Sequence, residues 1–157
     1  MHRSKYLQPL SHQHHDGLMA VLLLKKGLRK NTSSEIMCAF VLDLWEPGLQ
    51  RHFFAEELHL QPDLLMAPAT ASYYDRMIEE HAAIRELILS MKDGAADLET
   101  IRSFAELLEK HIRFEERIYF EAIQSEVPAK QLAAIGTHLL SLEQERSCVN
   151  FSNRFWE

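Results

Sequence analysis

Two short stretches place an imidazole and a carboxylate four residues apart inside runs that otherwise read as buried helix: His52-Phe-Phe-Ala-Glu56 and His111-Ile-Arg-Phe-Glu115. Residues four apart lie one turn above each other on the same helix face, so each pair can direct a nitrogen and an oxygen at one point. The second pair interrupts the stripe Ile101, Phe104, Leu108, His111, Glu115, Ile118, Ala122, whose three-and-four spacing is that of a core-facing helix. Burying such groups is costly unless they are paired, hydrogen-bonded or bound to metal. Nine histidines and 23 acidic residues among 157 give about 1.3 His-x3-acid pairs by chance, and the chain holds four. Two of the four carry little weight, because His59 and Asp63 straddle Pro62 and His12 with Asp16 sits at a helix start. The other two lie in mid-helix. A lone histidine, His81, likewise replaces an apolar residue in the stripe Tyr74, Met77, His81, Ile84, Ile88, Met91.

Imidazoles and carboxylates sent inward at one level by several helices suit iron or manganese, with zinc also possible. Two glutamates facing each other across a core can bridge two metal ions, and the cations then offset buried negative charge that has no Lys or Arg on the same stripes. The competing readings are a helix-face ion pair in a polar core and, for His81 alone, a satisfied core histidine. Glu57 and Glu116 follow the two glutamates but point about 100° away on a helix, which assigns them to solvent. Tyr119, one turn beyond Glu115, reads as core packing, with a hydrogen bond to a ligand at the metal as the alternative. Met19, Met66, Met77 and Met91 read as gap-filling residues rather than a copper set.

The elements that must position these residues are helical. Met1 to Pro9 reads as an irregular arm, and Ser11 as the N-cap of a first helix to about Leu28 or Lys30. Asn31 to Ser34 is a polar break before a second helix, from about Ser34 towards His59. Pro47 and Gly48 predict a kink or bulge in that helix one turn before His52. Gln61 to Ala69 reads as a loop, Thr70 or Ser72 caps a third helix to about Lys92, and a fourth runs from about Asp97 to Ser125. A shorter helix spans about 128–146, and a tail over 147–157 carries Phe151, Phe155 and Trp156, which pack on the bundle or on a second subunit. The pattern predicts an all-α fold of a single domain over 1–157: an antiparallel up-and-down four-helix bundle, with its core over about 10–125, a fifth short helix and a tail.

Composition removes several classes of function. With 46% hydrophobic and 25% charged residues the chain is of ordinary globular type. Its formal charge of −6, without a dense Lys/Arg run, argues against nucleic acid as a partner. Cys38 and Cys148 are isolated, which points to a reducing compartment and a cytoplasmic protein. The apolar run Leu18 to Leu24 is too short to span a bilayer, so no membrane role is expected.

In order along the chain, the motifs are His15 in His-His-Asp-Gly-Leu, His52 and Glu56 in HFFAEE, His81 in EEHAAIREL, and His111 and Glu115 in HIRFEE. Together these resemble the hemerythrin-like HHE cation-binding family over about residues 10–125. The resemblance implies a non-haem centre of two iron ions with a bridging oxo or hydroxo group. Glu56 and Glu115 would bridge the irons, His15 and His52 would bind one, and His81 and His111 the other. For the first ligand, His15 has Leu18 and Leu22 at plus three and plus seven and is preferred to His14, whose stripe is Gly17, Val21 and Leu24. The sequence departs from oxygen-carrying hemerythrins at Arg85, where their third helix supplies a further histidine. The expected function is therefore binding or sensing of dioxygen, peroxide or nitric oxide at an open metal site, in a monomer or homodimer. A diiron peroxidase, oxidase or iron-damage repair enzyme is the alternative, with a metal-independent interaction domain behind it.

Overall fold

The computed structural model describes residues 2–145 and 151–157, and every regular element among them is helical. α1 (Gln8–Arg29) begins three residues before the expected Ser11 cap, because Pro9 sits in its first turn, where a missing N–H costs nothing. It ends on Lys30, with Asn31 left-handed at φ 56° and the Thr32 amide donating to the Gly27 carbonyl. α2 (Ser34–Leu44) is capped by Ser33, whose hydroxyl accepts from the Ile36 amide. It passes through a π turn, Trp45–Leu49, directly into α3 (Gln50–His59). The interruption expected at Pro47 is thus an extra residue in one turn rather than a break.

The expected loop after His59 folds into α4 (Pro62–Leu65) and a 3-10 turn, Pro68–Thr70. α5 (Ala71–Lys92) follows, and Gly94 takes φ +72° in the turn that ends it. α6 (Leu98–Phe114) opens on a capping box in which Asp97 and Thr100 satisfy each other's backbone amides. A second π turn, Glu115–Tyr119, carries it into α7 (Phe120–Glu126). α8 (Ala129–Leu139) is shorter than expected and continues as a 3-10 segment, Leu140–Glu145; Arg146 and Cys148 lie outside the described residues.

α1 packs along α6, α5 along α6, and α2 against both α5 and α6. The buried apolar residues form two separate clusters. One contains Val21, Leu24, Phe40, Phe53, Ile84, Phe104 and Leu108, and the other Leu10, Leu60, Met77, Phe114, Tyr119 and Phe120. Each long helix passes from one cluster to the other, and the histidines and glutamates of the motifs lie at the crossing. In the tail, Phe151 and Phe155 set their rings edge-on to Phe40 at 5.4 and 5.3 Å, so the aromatics cover this chain's own bundle. Among the described residues, no helix is long and apolar enough to cross a membrane.

Candidate metal centre

Between the two apolar clusters lies a layer of six buried polar side chains: His14 from α1, His52 and Glu56 from α3, His81 from α5, His111 from α6, and Glu115 at the start of the second π turn. Four of them are 0% exposed, and His14 and His52 are 3% exposed. They fall into two overlapping groups, His14 with His52 and His81 with His111, each sharing Glu56 and Glu115 and each with its donor atoms within 4.8 Å of one another. The two imidazole pairs match in spacing, with ring centroids 4.7 Å apart in both.

Inside this layer, His14 Nε2 is 2.9 Å from Glu115 Oε2 and 3.3 Å from Glu56 Oε1, and His52 Nε2 is 2.8 Å from Glu56 Oε1. His81 Nε2 lies 3.2 Å from Glu56 Oε2, and His111 Nε2 lies 3.2 Å from Glu115 Oε1. Despite these short separations, Nε2 of His14 and His52 and all four glutamate oxygens lack an aligned hydrogen bond. Their lone pairs converge on common points instead of pairing with each other. Buried polar atoms in that condition are costly, and a cation at each convergence point satisfies them together. Four imidazole nitrogens and two bridging carboxylates fit iron or manganese by chemical type.

His15, the expected first ligand, is exposed on α1, and His14 takes its place in the layer. Leu22 is 45% exposed, whereas Leu10, Gly17, Val21 and Leu24 are buried, so the inward face of α1 runs through His14. Gly17 concealed that face from a hydrophobic count. A Cβ there would come 2.8 Å from Ile112 Cδ1 of α6, which would have to shift.

Every histidine of the layer turns its other nitrogen outward onto a fixed oxygen. His52 Nδ1 is 2.7 Å from Gln13 Oε1, His81 Nδ1 2.8 Å from Glu57 Oε1, His111 Nδ1 2.9 Å from Glu80 Oε1, and His14 Nδ1 2.6 Å from Glu116 Oε1. An Nδ1–H donated outward leaves the Nε2 lone pair inward, which is the tautomer a metal needs. Each outer partner is the chain neighbour of a residue in the layer. α1 thus serves α3, α3 serves α5, α5 serves α6, and the π turn after α6 serves α1, closing a ring. Glu57 and Glu116 are therefore not solvated residues. The sequence signal that would have found them is adjacency: all four outer groups sit one position from a ligand candidate.

Three outer carboxylates are held in turn by arginines: Arg3 to Glu116, Arg85 to Glu57 at 2.6 Å, and Arg76 to Glu80. Arg85 lies over the Phe53 ring and faces Glu57, so it supplies nothing to the inner layer. Burial opposes ionisation of Glu116, but His14, Ser11 and Arg3 outweigh it and bring its pKa down to about 2. Burial by itself lowers His14 and His81. Contacts with Glu115, Glu116 and Glu56 raise His14 well above its ordinary value, and Glu56 and Glu57 raise His81 to about 9. Without a cation, the neighbouring carboxylates draw protons onto His14 and His81. Tyr119 takes no part in the layer, since its hydroxyl donates to the Leu60 carbonyl at 2.9 Å.

A cavity of about 70 Å³ reaches the layer from the side of the first π turn, lined by Gly17, Pro47, Gly48, His14, His52 and Ile112 among others. It gives small molecules a route from the surface to the layer.

No curated protein and no solved structure matches the chain. Residues 9–123 match the family described as the hemerythrin HHE cation-binding domain, a span that contains all six inner residues and all four outer ones. The chain belongs to the hemerythrin HHE cation-binding family.

Proposed function

We propose that this protein is a single-domain, non-haem diiron protein that binds or senses dioxygen, peroxide or nitric oxide. His14 and His52 hold one iron, His81 and His111 the other, and Glu56 and Glu115 bridge them, with His14 standing where the sequence pattern favoured His15. The observation that carries this reading is the set of buried inward atoms without partners, four glutamate oxygens and two imidazole nitrogens, inside a ring of outward hydrogen bonds. Bound iron would supply electrons and coordination sites for the small ligand. The chain's own residues do the rest: the outer oxygens fix the histidine tautomers, the two apolar clusters flank the layer, and the cavity gives small molecules a way in.

The helices are proposed to stand antiparallel, up and down. The order in which they meet the two apolar clusters supports this: α1 runs from Leu10 to Val21, α3 from Phe53 to Leu60, α5 from Met77 to Ile84 and α6 from Leu108 to Phe114, alternating in sense. A cytoplasmic setting is consistent with Cys38, a free buried thiol.

Metal analysis of anaerobically purified protein, read with its ultraviolet-visible spectrum, tests the proposal. It expects about two irons per chain and a ferric band that responds to reduction and to oxygen. Iron content unchanged after replacement of His52 and His111 would refute it. A catalytic reading is favoured by one feature, Arg85, which faces Glu57 and leaves the layer with four nitrogens only. Turnover of peroxide or nitric oxide by the iron-loaded protein, lost in Glu115→Ala, distinguishes that reading.

A further inference from the structure

We infer that Gln13 makes the two metal positions unequal, so that the position between His81 and His111 fills first and holds its ion more tightly. The inference rests on the proposed metal centre and deepens it.

The inner donors are of the same kind at both positions, two imidazoles and the same two carboxylates. Their geometry differs in one respect: His81 Nε2 and His111 Nε2 lie 3.1 Å apart, whereas those of His14 and His52 make no aligned hydrogen bond. The chemical difference lies one layer out. His81 and His111 both donate Nδ1–H to carboxylates, Glu57 and Glu80. Of the other pair, His14 faces the carboxylate of Glu116, whereas His52 faces the neutral amide of Gln13. The Gln13 amide is oriented unambiguously: its Nε2 donates to the Leu142 carbonyl at 2.9 Å, which leaves Oε1 for His52.

A carboxylate accepting the outer N–H polarises the ring and raises the basicity of the inward nitrogen, and an amide does so far less. The arginines on Glu116, Glu57 and Glu80 offset part of the carboxylate charge at each of the three. Arg76 and Arg85, on the His111 and His81 side, are 40% and 31% exposed, where water screens them, whereas Arg3 on Glu116 is 16% exposed. Contact at the N–H therefore decides. His52 is the weakest donor of the four, and it lines the cavity, as do Gln13, His14 and His111.

Mutual repulsion of two adjacent cations separates the binding steps in any such centre, so the order of filling carries the test, not the number of steps. The full chain, stripped of metal, is titrated with zinc(II) and followed by calorimetry and by the imidazole nitrogen resonances. At one equivalent the signals of His81 and His111 are expected to move before those of His14 and His52. In Gln13→Glu the first equivalent should spread over both positions and the weaker constant should tighten by about 10-fold, the lower end of outer-layer effects on metal affinity. That variant also loses the Leu142 contact, so Glu57→Gln supplies the converse. It should weaken the stronger position by about 10-fold and let the first ion spread over both positions. Equal or reversed filling in the unmodified chain overturns the inference while leaving the metal reading intact, as does an order of filling that Glu57→Gln leaves unchanged. A chain that binds no zinc overturns both.

Discussion

Removing the metal should change the sign of the protein's pH dependence above neutrality. In the metal-free layer, burial lowers the His81 pKa, but the hydrogen bond to Glu57 and the close carboxylates of Glu56 and Glu115 carry it from 6.5 up to about 9. A histidine whose folded pKa lies above its unfolded one contributes stability that is complete below pH 6.5 and lost as the pH rises through about 9. At about 1.4 kcal/mol per unit this shift corresponds to about 3 kcal/mol, without a discount for screening because the His81 side chain is 0% exposed. For a domain of this size that amounts to about 6–12 °C in melting temperature. With metal bound, protons and cations compete for the same nitrogens, so the metal-loaded protein gains stability over the interval in which the metal-free protein loses it. Thermal unfolding followed by circular dichroism at about pH 6, 7.5 and 9.5, with chelator and with excess iron(II) under anaerobic conditions, measures both slopes. His81→Gln should remove most of the downward slope in chelator. A metal-free melting temperature that is flat or rises across this range would refute the assignment of a proton to His81 in the metal-free layer.

Other perturbations read other parts of the structure. Gly17→Val places atoms where even a Cβ would meet Ile112 at 2.8 Å, costing about 1–3 kcal/mol and narrowing the cavity. Stopped-flow mixing with azide should show slower entry into iron-loaded protein whose iron content is unchanged. Tyr119→Phe should lose about 1 kcal/mol in urea unfolding, from the hydrogen bond to Leu60, and leave the iron spectrum as it was. Phe155→Ala uncovers Phe40 and Gly27, and unfolding in urea should report a loss of about 2 kcal/mol, since the ring is only partly buried.

The sequence carried the helices and five of the six inner residues because periodicity and polar interruption are local properties. Pro47 announced the first π turn by chemistry that one residue determines. The second, Glu115–Tyr119, contains neither proline nor glycine, and nothing local announces it. Its extra residue moves the register of everything after Glu115 by one position. Ile118, expected inward, is 43% exposed, while Tyr119 and Ile123 are buried in place of Ile118 and Ala122. The first helix's member of the layer was misplaced for a different reason. Gly17 leaves the inward stripe of α1 without an apolar side chain where it faces Ile112 of α6. The outer ring was out of reach of periodicity because each of its bonds joins two helices. Glu57 looks like a surface residue on its own helix until α5 is laid beside it.

The ring also imposes an order in time. Its last bond joins Glu116 to His14, residues at opposite ends of the chain's family-matched span, and Glu116 is itself held by Arg3. During synthesis the first three helices can associate, yet His14 has no outward acceptor until the fourth has emerged. A closed ring therefore needs both the first helix and the turn after the fourth, 102 residues apart along the chain. A truncated chain ending before residue 116 would present three seated histidines and one left to choose its own tautomer.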